Sequence, residues 1–326
     1  MPNPTLGSVH TNAALTNVAI GYRNTNFIAD QVFPVVRVAK ESDYYYTWTQ
    51  GDIFRNEAGI IAPGGQAVRG GFALTSTTYT ANEYGFAWPI PDRVRNNMDP
   101  AVASEVNSTN RVMDKIMLAR EIIVCGLLAL PASYGGATWT GQTPKDVGSG
   151  EYYDSKLGTP LADIDGASKG IQAKIGKPAN TIVMNWAVYR ALIRHPDVLD
   201  YIGISTAGSG SMYPAGMGPR IVTPEVLSAI IDIPKVLVVT ALYNSAAEGQ
   251  TAVYASVMTD TIWVGYVAPS PAIDEPSAGY TFRCGDARVR TYREEATEQD
   301  VVEARELYVP KQTLVTAGAI ITDCLV

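Results

Sequence analysis

Tyr44-Tyr45-Tyr46-Thr47-Trp48-Thr49 and Leu74-Thr75-Ser76-Thr77-Thr78-Tyr79-Thr80 are two runs of aromatic and β-branched residues, the composition of strands. Between them lies Ala62-Pro63-Gly64-Gly65-Gln66-Ala67-Val68-Arg69-Gly70-Gly71, a turn-rich stretch without helical or strand periodicity. Two strands around a flexible tip predict a β-hairpin within residues 41–88. At ~3.3 Å per residue it would reach roughly 40–50 Å. An isolated two-stranded hairpin is marginal in water, and its open edges invite pairing with another chain. It must therefore pack on its own body or on a neighbour, and both remain open at this point.

On the N-terminal side, residues 1–40 read as an extended arm. Phe27-Ile28-Ala29-Asp30-Gln31-Val32-Phe33-Pro34 leads to a short strand over 35–38. The arm shows no apolar face wide enough to fold alone and needs a surface to lie on. On the C-terminal side, Asp99-Pro100 starts a helix with a capping side chain and a proline at its first position. Val102, Val106, Met113, Ile116, Met117, Ile123, Val124, Leu127 and Leu128 then recur near the 3.6-residue period, and Pro131 ends the run. Unbroken, this helix would be about 45 Å long.

Residues 132–159 are rich in Gly, Thr, Tyr and Ser and predict a surface loop. An alternating α/β section follows. Helices are expected over 161–175, closed by Gly176, over 186–193, broken near His195-Pro196, and over 224–231; strands over 181–184, 235–240, 252–257 and 261–267. A glycine-rich loop spans 203–220. From Ala287 onward, Val289, Tyr292, Val301, Leu307 and Val315 mark long strands that end in Ala319-Ile320-Ile321. The fold class is α+β.

Charged residues are only 17 % of the chain, hydrophobic residues 46 %, and there are 18 tyrosines. Tyrosine offers an apolar body and a polar tip, so this composition leans toward surfaces that meet protein. The net charge of −7, with no Lys/Arg run longer than two residues, offers no basic patch for gripping phosphates. Cys125, Cys284 and Cys324 are too few and too scattered for a disulfide framework or a zinc site. No secretory signal and no apolar run of membrane-spanning length is read in the sequence.

Catalytic patterns are equally scarce. His10 and His195 are the only histidines, and no neighbouring nucleophile or acid motif makes His195 a general base. Gly170 through Gly176-Lys177 imitates a phosphate loop, but its glycine spacing is one residue too long and Pro178 stands where Ser or Thr should hold magnesium. Gly176 reads better as a helix C-terminal glycine. Gly64, Gly65, Gly70 and Gly71 precede no helix that would complete an anion cradle. Glu294, Glu295, Glu298, Asp300, Glu303 and Glu306 are interleaved with Arg288, Arg290, Arg293 and Arg305. Ion pairs, within the chain or between subunits, are expected there rather than a metal site. No catalytic residue, cofactor or metal is assigned.

The order of parts resembles the Hong Kong 97-type capsid fold. Local stretches are similar to capsid proteins of tailed bacteriophages: Leu15-Thr16-Asn17-Val18-Ala19-Ile20; Asn26-Phe27-Ile28-Ala29-Asp30-Gln31-Val32-Phe33-Pro34; Tyr45-Tyr46 leading to Gly51-Asp52-Ile53-Phe54-Arg55; and Asp114-Lys115-Ile116-Met117-Leu118-Ala119-Arg120-Glu121. The resemblance implies an N-terminal arm over 1–40 and an extended hairpin loop over 41–88, both lying on neighbouring subunits. It implies a peripheral domain over 89–156 with a spine helix near 98–130, an axial domain over 157–262, and a return to the peripheral domain over 263–326.

It further implies a structural, non-enzymatic major capsid protein that self-assembles as pentamers and hexamers into an icosahedral shell around double-stranded DNA, without sequence-specific binding and without a membrane. Portal and scaffolding proteins are expected partners, and cement proteins possible ones. The expected location is the virion capsid, made and assembled in the host bacterial cytoplasm, with a procapsid that matures. An encapsulin-type bacterial nanocompartment shares the fold and is the alternative. Candidate inter-subunit contacts are Phe27, Phe33, Tyr44, Tyr46, Trp48, Phe54, Arg55 and Phe72. Two departures sharpen the expectation. No lysine lies between Lys40 and Lys115, so an isopeptide cross-link from the loop is ruled out and the shell is expected to be held without covalent links. The arm begins almost at Met1, so a separate scaffold protein is expected.

Overall fold

The structure is a computed structural model that describes residues 27–48, 54–61, 63–67, 69, 71, 74–97, 105–147, 151–155, 157–202, 222–271 and 275–326. The described residues open with a single helical turn α1 (Ala29–Val32) and then β1 (Val35–Val38), β2 (Ser42–Trp48), β3 (Leu74–Thr80) and β4 (Asn82–Pro91). A short helix α2 (Asp92–Asn97) leads toward the long helix α3 (Glu105–Ala129). Next come β5 (Lys145–Asp146), α4 (Pro160–Ile175), β6 (Thr181–Asn185), α5 (Trp186–Leu192), α6 (Pro196–Ile202), α7 (Pro224–Ile231) and β7 (Lys235–Val239). The chain finishes with β8 (Leu242–Asn244), β9 (Tyr254–Ser256), β10 (Ile262–Gly265), β11 (Gly279–Cys284), β12 (Arg288–Glu294), β13 (Gln299–Gln312) and β14 (Gly318–Thr322).

Among the described residues two five-stranded sheets and two small ribbons result. The first sheet is built on β13, whose 14 residues face β4 in an antiparallel ladder from Gln299↔Pro91 to Tyr308↔Asn82. β12 pairs with the front of β13 and β11 with its rear, and β1 adds to β11 in parallel. Arg283 faces Tyr308 and Arg288 faces Arg305, so β11 and β12 act as one strand with a bulge at residues 284–287. Gly285 provides the left-handed φ of 74° that the bulge needs. The second sheet has the order β5-β14-β10-β6-β7. Its central strands are buried on both faces, and α4, α5 and α7 pack on it, as expected where helices cover a sheet.

Helix α3 serves both sheets. Val112, Met113 and Ile116 pack against Ile90, Val289, Val302 and Tyr308 of the first sheet. Val124, Cys125, Leu127 and Leu128 join the core of the second. α4 ends where expected, with Gly176 left-handed at φ 72° and its N–H bonded to the Gln172 carbonyl. Thr223 caps α7 by accepting the Val226 N–H, and Pro224 follows.

Several expectations are corrected. Residues 27–38 do not wait for a foreign surface, because Ile28, Ala29, Val32 and Phe33 are buried in the chain's own core. Phe33 has no exposed surface, and a Cβ at Gly279 would lie 2.6 Å from its ring. It is a core residue and not an inter-subunit contact. The stretch 132–159 is not a purely surface loop, since Trp139, Val147 and Tyr153 are fully buried. The Trp139 indole donates to the Leu127 carbonyl at 3.0 Å and the Tyr153 hydroxyl to Asp163 at 2.8 Å. These bonds let polar-tipped aromatics enter the core without an unpaired donor. Val315 lies in a 3-10 turn rather than a strand. β4 and β11 were not anticipated as separate strands.

Candidate assembly surfaces

The hairpin exists in register, from Ser42↔Thr80 to Trp48↔Leu74. Successive side chains alternate faces along a strand, and here the alternation separates two roles. Tyr45 and Tyr79 point inward to Phe282 of β11, with ring centroids 5.3 and 4.6 Å away. Val36, Val38 and Val309 complete this small core. The Tyr45 hydroxyl donates to the Gln312 carbonyl and that of Tyr79 to the Lys40 carbonyl. Burial raises both phenols above their ordinary pKa, so they stay neutral donors. Tyr44 and Tyr46 face the other way, 64 % and 57 % exposed. Ser42 and Thr80 lie beside them with their hydroxyls 3.4 Å apart.

The hairpin's inner face is thus spent within the chain, and its outer face is not. The paired strands that are described are seven residues each, or about 23 Å. Beyond them, residues 54–61 are all exposed, among them Phe54, Ile60 and Ile61. The ring edge of Phe54 lies beside Gly176, where a Cβ would meet it at 2.8 Å. Arg55 pairs with Glu57 at 3.4 Å. Of the other candidates, Phe27 is half-buried against the chain's own core. The side chain of Trp48 and the whole of Phe72 lie outside the described residues.

A second apolar patch was missed by sequence reasoning. Parallel strands β6 and β7 end together, placing Trp186 just after one and Leu242 just after the other. Leu242 opposes Ser256 in the β8–β9 ribbon, and the Ser256 hydroxyl bonds to Asn185 at 3.3 Å. Trp186, Leu242, Val253 and Tyr254 are all exposed there, with the Arg190 guanidinium 5.6 Å from the Trp186 ring. A Trp at the junction of a strand and a helix, with a Val-Tyr pair at the start of a short strand, was the signal available.

The charged strands hold ion pairs within the chain. Glu303 is covered by Arg290 and Arg305, which bond its two oxygens from neighbouring positions. Arg293 and Arg95 both reach Asp300, at 3.3 and 2.5 Å, along the open pocket that they line. Arg283 and Arg120 meet on Glu306. Among the described residues no cluster of three or more His, Cys, Asp and Glu side chains could hold a metal ion, and no helix is long and apolar enough to cross a membrane. His195 is buried, its Nδ1 accepting the Asp197 N–H at 3.2 Å at the start of α6. Burial lowers its pKa, with Asp197 opposing.

The architecture has solved relatives. A phage-related protein from Bordetella bronchiseptica RB50 superposes with a TM-score of 0.73 at 21 % identity, covering 97 % of this chain and 98 % of that one. The capsid of cyanophage P-SCSP1u gives a TM-score of 0.59 at 10 % identity over 98 % of this chain and 92 % of its own. This is a phage capsid fold of the Hong Kong 97 type. The major capsid protein of Burkholderia phage BcepMu is 25 % identical over 311 residues, 94 % of each chain. No family model matches. The likeness covers nearly the whole chain and is not confined to a fragment.

Proposed function

We propose that this chain is a major capsid protein whose copies build the icosahedral shell of a tailed bacteriophage around its double-stranded DNA. The observation that carries this reading is the hairpin, whose inner face is packed and whose outer face and tip hold Tyr44, Tyr46, Phe54, Ile60 and Ile61 in solvent. Large apolar side chains exposed on a two-stranded element and on the stretch beyond it call for a partner surface. The similarity to a named major capsid protein over nearly the whole chain supports the same reading.

In this reading the chemistry is area, not catalysis. Many weak contacts assemble reversibly and hold durably together. The hairpin tip lies on an adjacent copy, with Tyr44, Tyr46, Phe54 and Arg55 among the contacts. The patch of Trp186, Leu242 and Tyr254 faces other copies around a five- or sixfold axis, in an axial domain of about residues 157–262. With no lysine between Lys40 and Lys115, the shell is held by non-covalent contacts, aided by cement proteins. Scaffolding and portal proteins complete assembly in the bacterial cytoplasm. Negative-stain microscopy of the expressed, purified chain with its scaffold should reveal closed, uniform shells. Lone monomers at every concentration would contradict the proposal.

A further inference from the structure

Between the two apolar stretches of α3 lie Arg120 and Glu121, 4 % and 0 % exposed. Buried charges are costly unless their bonding is complete, so their partners define what holds this seam. Arg120 reaches Glu306 and Asp30, each at 3.4 Å, and stands 5.3 Å from the Tyr308 ring. The Glu121 carboxylate accepts the Ile28 N–H at 3.0 Å and the Ala29 N–H at 2.8 Å. Those two donors open α1, where a helix start leaves N–H groups unmatched. Burial lifts the Glu121 carboxyl above its ordinary value, with the two N–H groups opposing.

The other end of α1 is held from the second sheet. Lys235, the first residue of β7, donates to the Gln31 carbonyl at 3.0 Å. Directly after it, the Phe33 carbonyl accepts the Thr281 hydroxyl at 3.2 Å, and β1 joins the edge of the first sheet. One helical turn is therefore gripped by an anion from α3, a cation from the second sheet and a strand of the first. Its apolar side, Ile28, Ala29, Val32 and Phe33, fills the core between them.

We propose that residues 28–38 are a lock across the seam between the two sheets. While Glu121 and Lys235 hold the segment, both halves of α3 and their sheets turn as one body. When it lifts, Glu121 and Arg120 lose partners, water reaches them, and the seam becomes a hinge between two rigid packed bodies. A pull on the chain ahead of Phe27 acts straight on this lock. The lock rests on the fold and stands independently of the shell reading.

The test uses the full chain with Cys284→Ser, and spin labels at Lys115→Cys on the front of α3 and Lys169→Cys on α4. Both native lysines are exposed. Glu121→Ala should speed amide exchange of residues 28–38 by about tenfold or more, as expected for losing charge-assisted hydrogen bonds. It should also broaden the distance distribution between labels. Amides at residues 182–184 and 302–304 should stay protected, showing both sheets intact. Lys235→Met should act in the same direction with a smaller effect, and it carries the test alone if the alanine variant does not fold. Unchanged exchange at 28–38, or faster exchange with an unchanged label distance, would overturn the lock.

Discussion

Residues 28–38 and residues 54–61 come from neighbouring, loop-like parts of the sequence, and the chain treats them oppositely. The first stretch sends Ile28, Val32 and Phe33 into the core and gives its backbone ends to Glu121 and Lys235. The second leaves Phe54, Ile60 and Ile61 in solvent. Apolar content is similar, so hydrophobicity alone does not decide burial. In the first stretch the chain supplies Glu121, Lys235 and Thr281 as bonding partners for the backbone that enters with the side chains. There the arm becomes part of the body, whereas the apolar residues of the second stretch stay exposed.

That contrast can be broken by substitution, and the largest effect belongs on the docked side. Phe33→Ala removes a fully buried ring and should cost about 3–5 kcal/mol, read as a lower urea midpoint of the isolated chain. Next, Tyr153→Phe removes the 2.8 Å bond to the buried Asp163, which Lys145 also contacts. A loss of about 1.5–3 kcal/mol is expected for a hydrogen bond to a charged group, measured in the same titration.

A smaller effect is tied to pH. The His195 pKa is lowered from 6.5 by burial, so the folded state prefers the neutral ring. The unfolded chain takes up the proton first as pH falls through 6.5, and stability must decline below that point. His195→Gln should flatten this part of the profile between pH ~7 and ~5, as followed by thermal unfolding; an unchanged slope would contradict the assignment. The smallest effect on stability is expected at the tip. Ile60→Ser with Ile61→Ser should stay within about 0.5 kcal/mol. The same pair should reduce sedimentable assembled material at least about tenfold, as loss of a contact anchor does. A tip that destabilised the monomer but spared assembly would reverse the comparison.

Much of this fold can be read in advance where periodicity and punctuation agree. α3 shows its apolar period, α4 its Gly176 stop, and α7 its Thr223-Pro224 start. β4 escaped because Asn82–Pro91 is short on aliphatic residues and ends in prolines; it is a strand because β13 offers a ladder along its length. β11 sits among Gly, Ser and Pro, and tertiary pairing overrides that composition. Trp139 and Tyr153 were hidden by polar neighbours, since the bonds to Leu127 and Asp163 that admit them are non-local. For the candidate contacts, strand alternation separates Tyr44 and Tyr46 from Tyr45 once the register is known. Nothing local marks Phe33 as core, because its partner Gly279 lies far along the chain.

The claim that the tip meets another copy is tested most directly by trypsin. Arg55 and Arg69 are exposed in the single chain and should be cleaved readily before assembly. In closed particles under identical conditions both sites should be protected, while exposed arginines elsewhere remain open. Equal cleavage after Arg55 and Arg69 in both states would contradict the account.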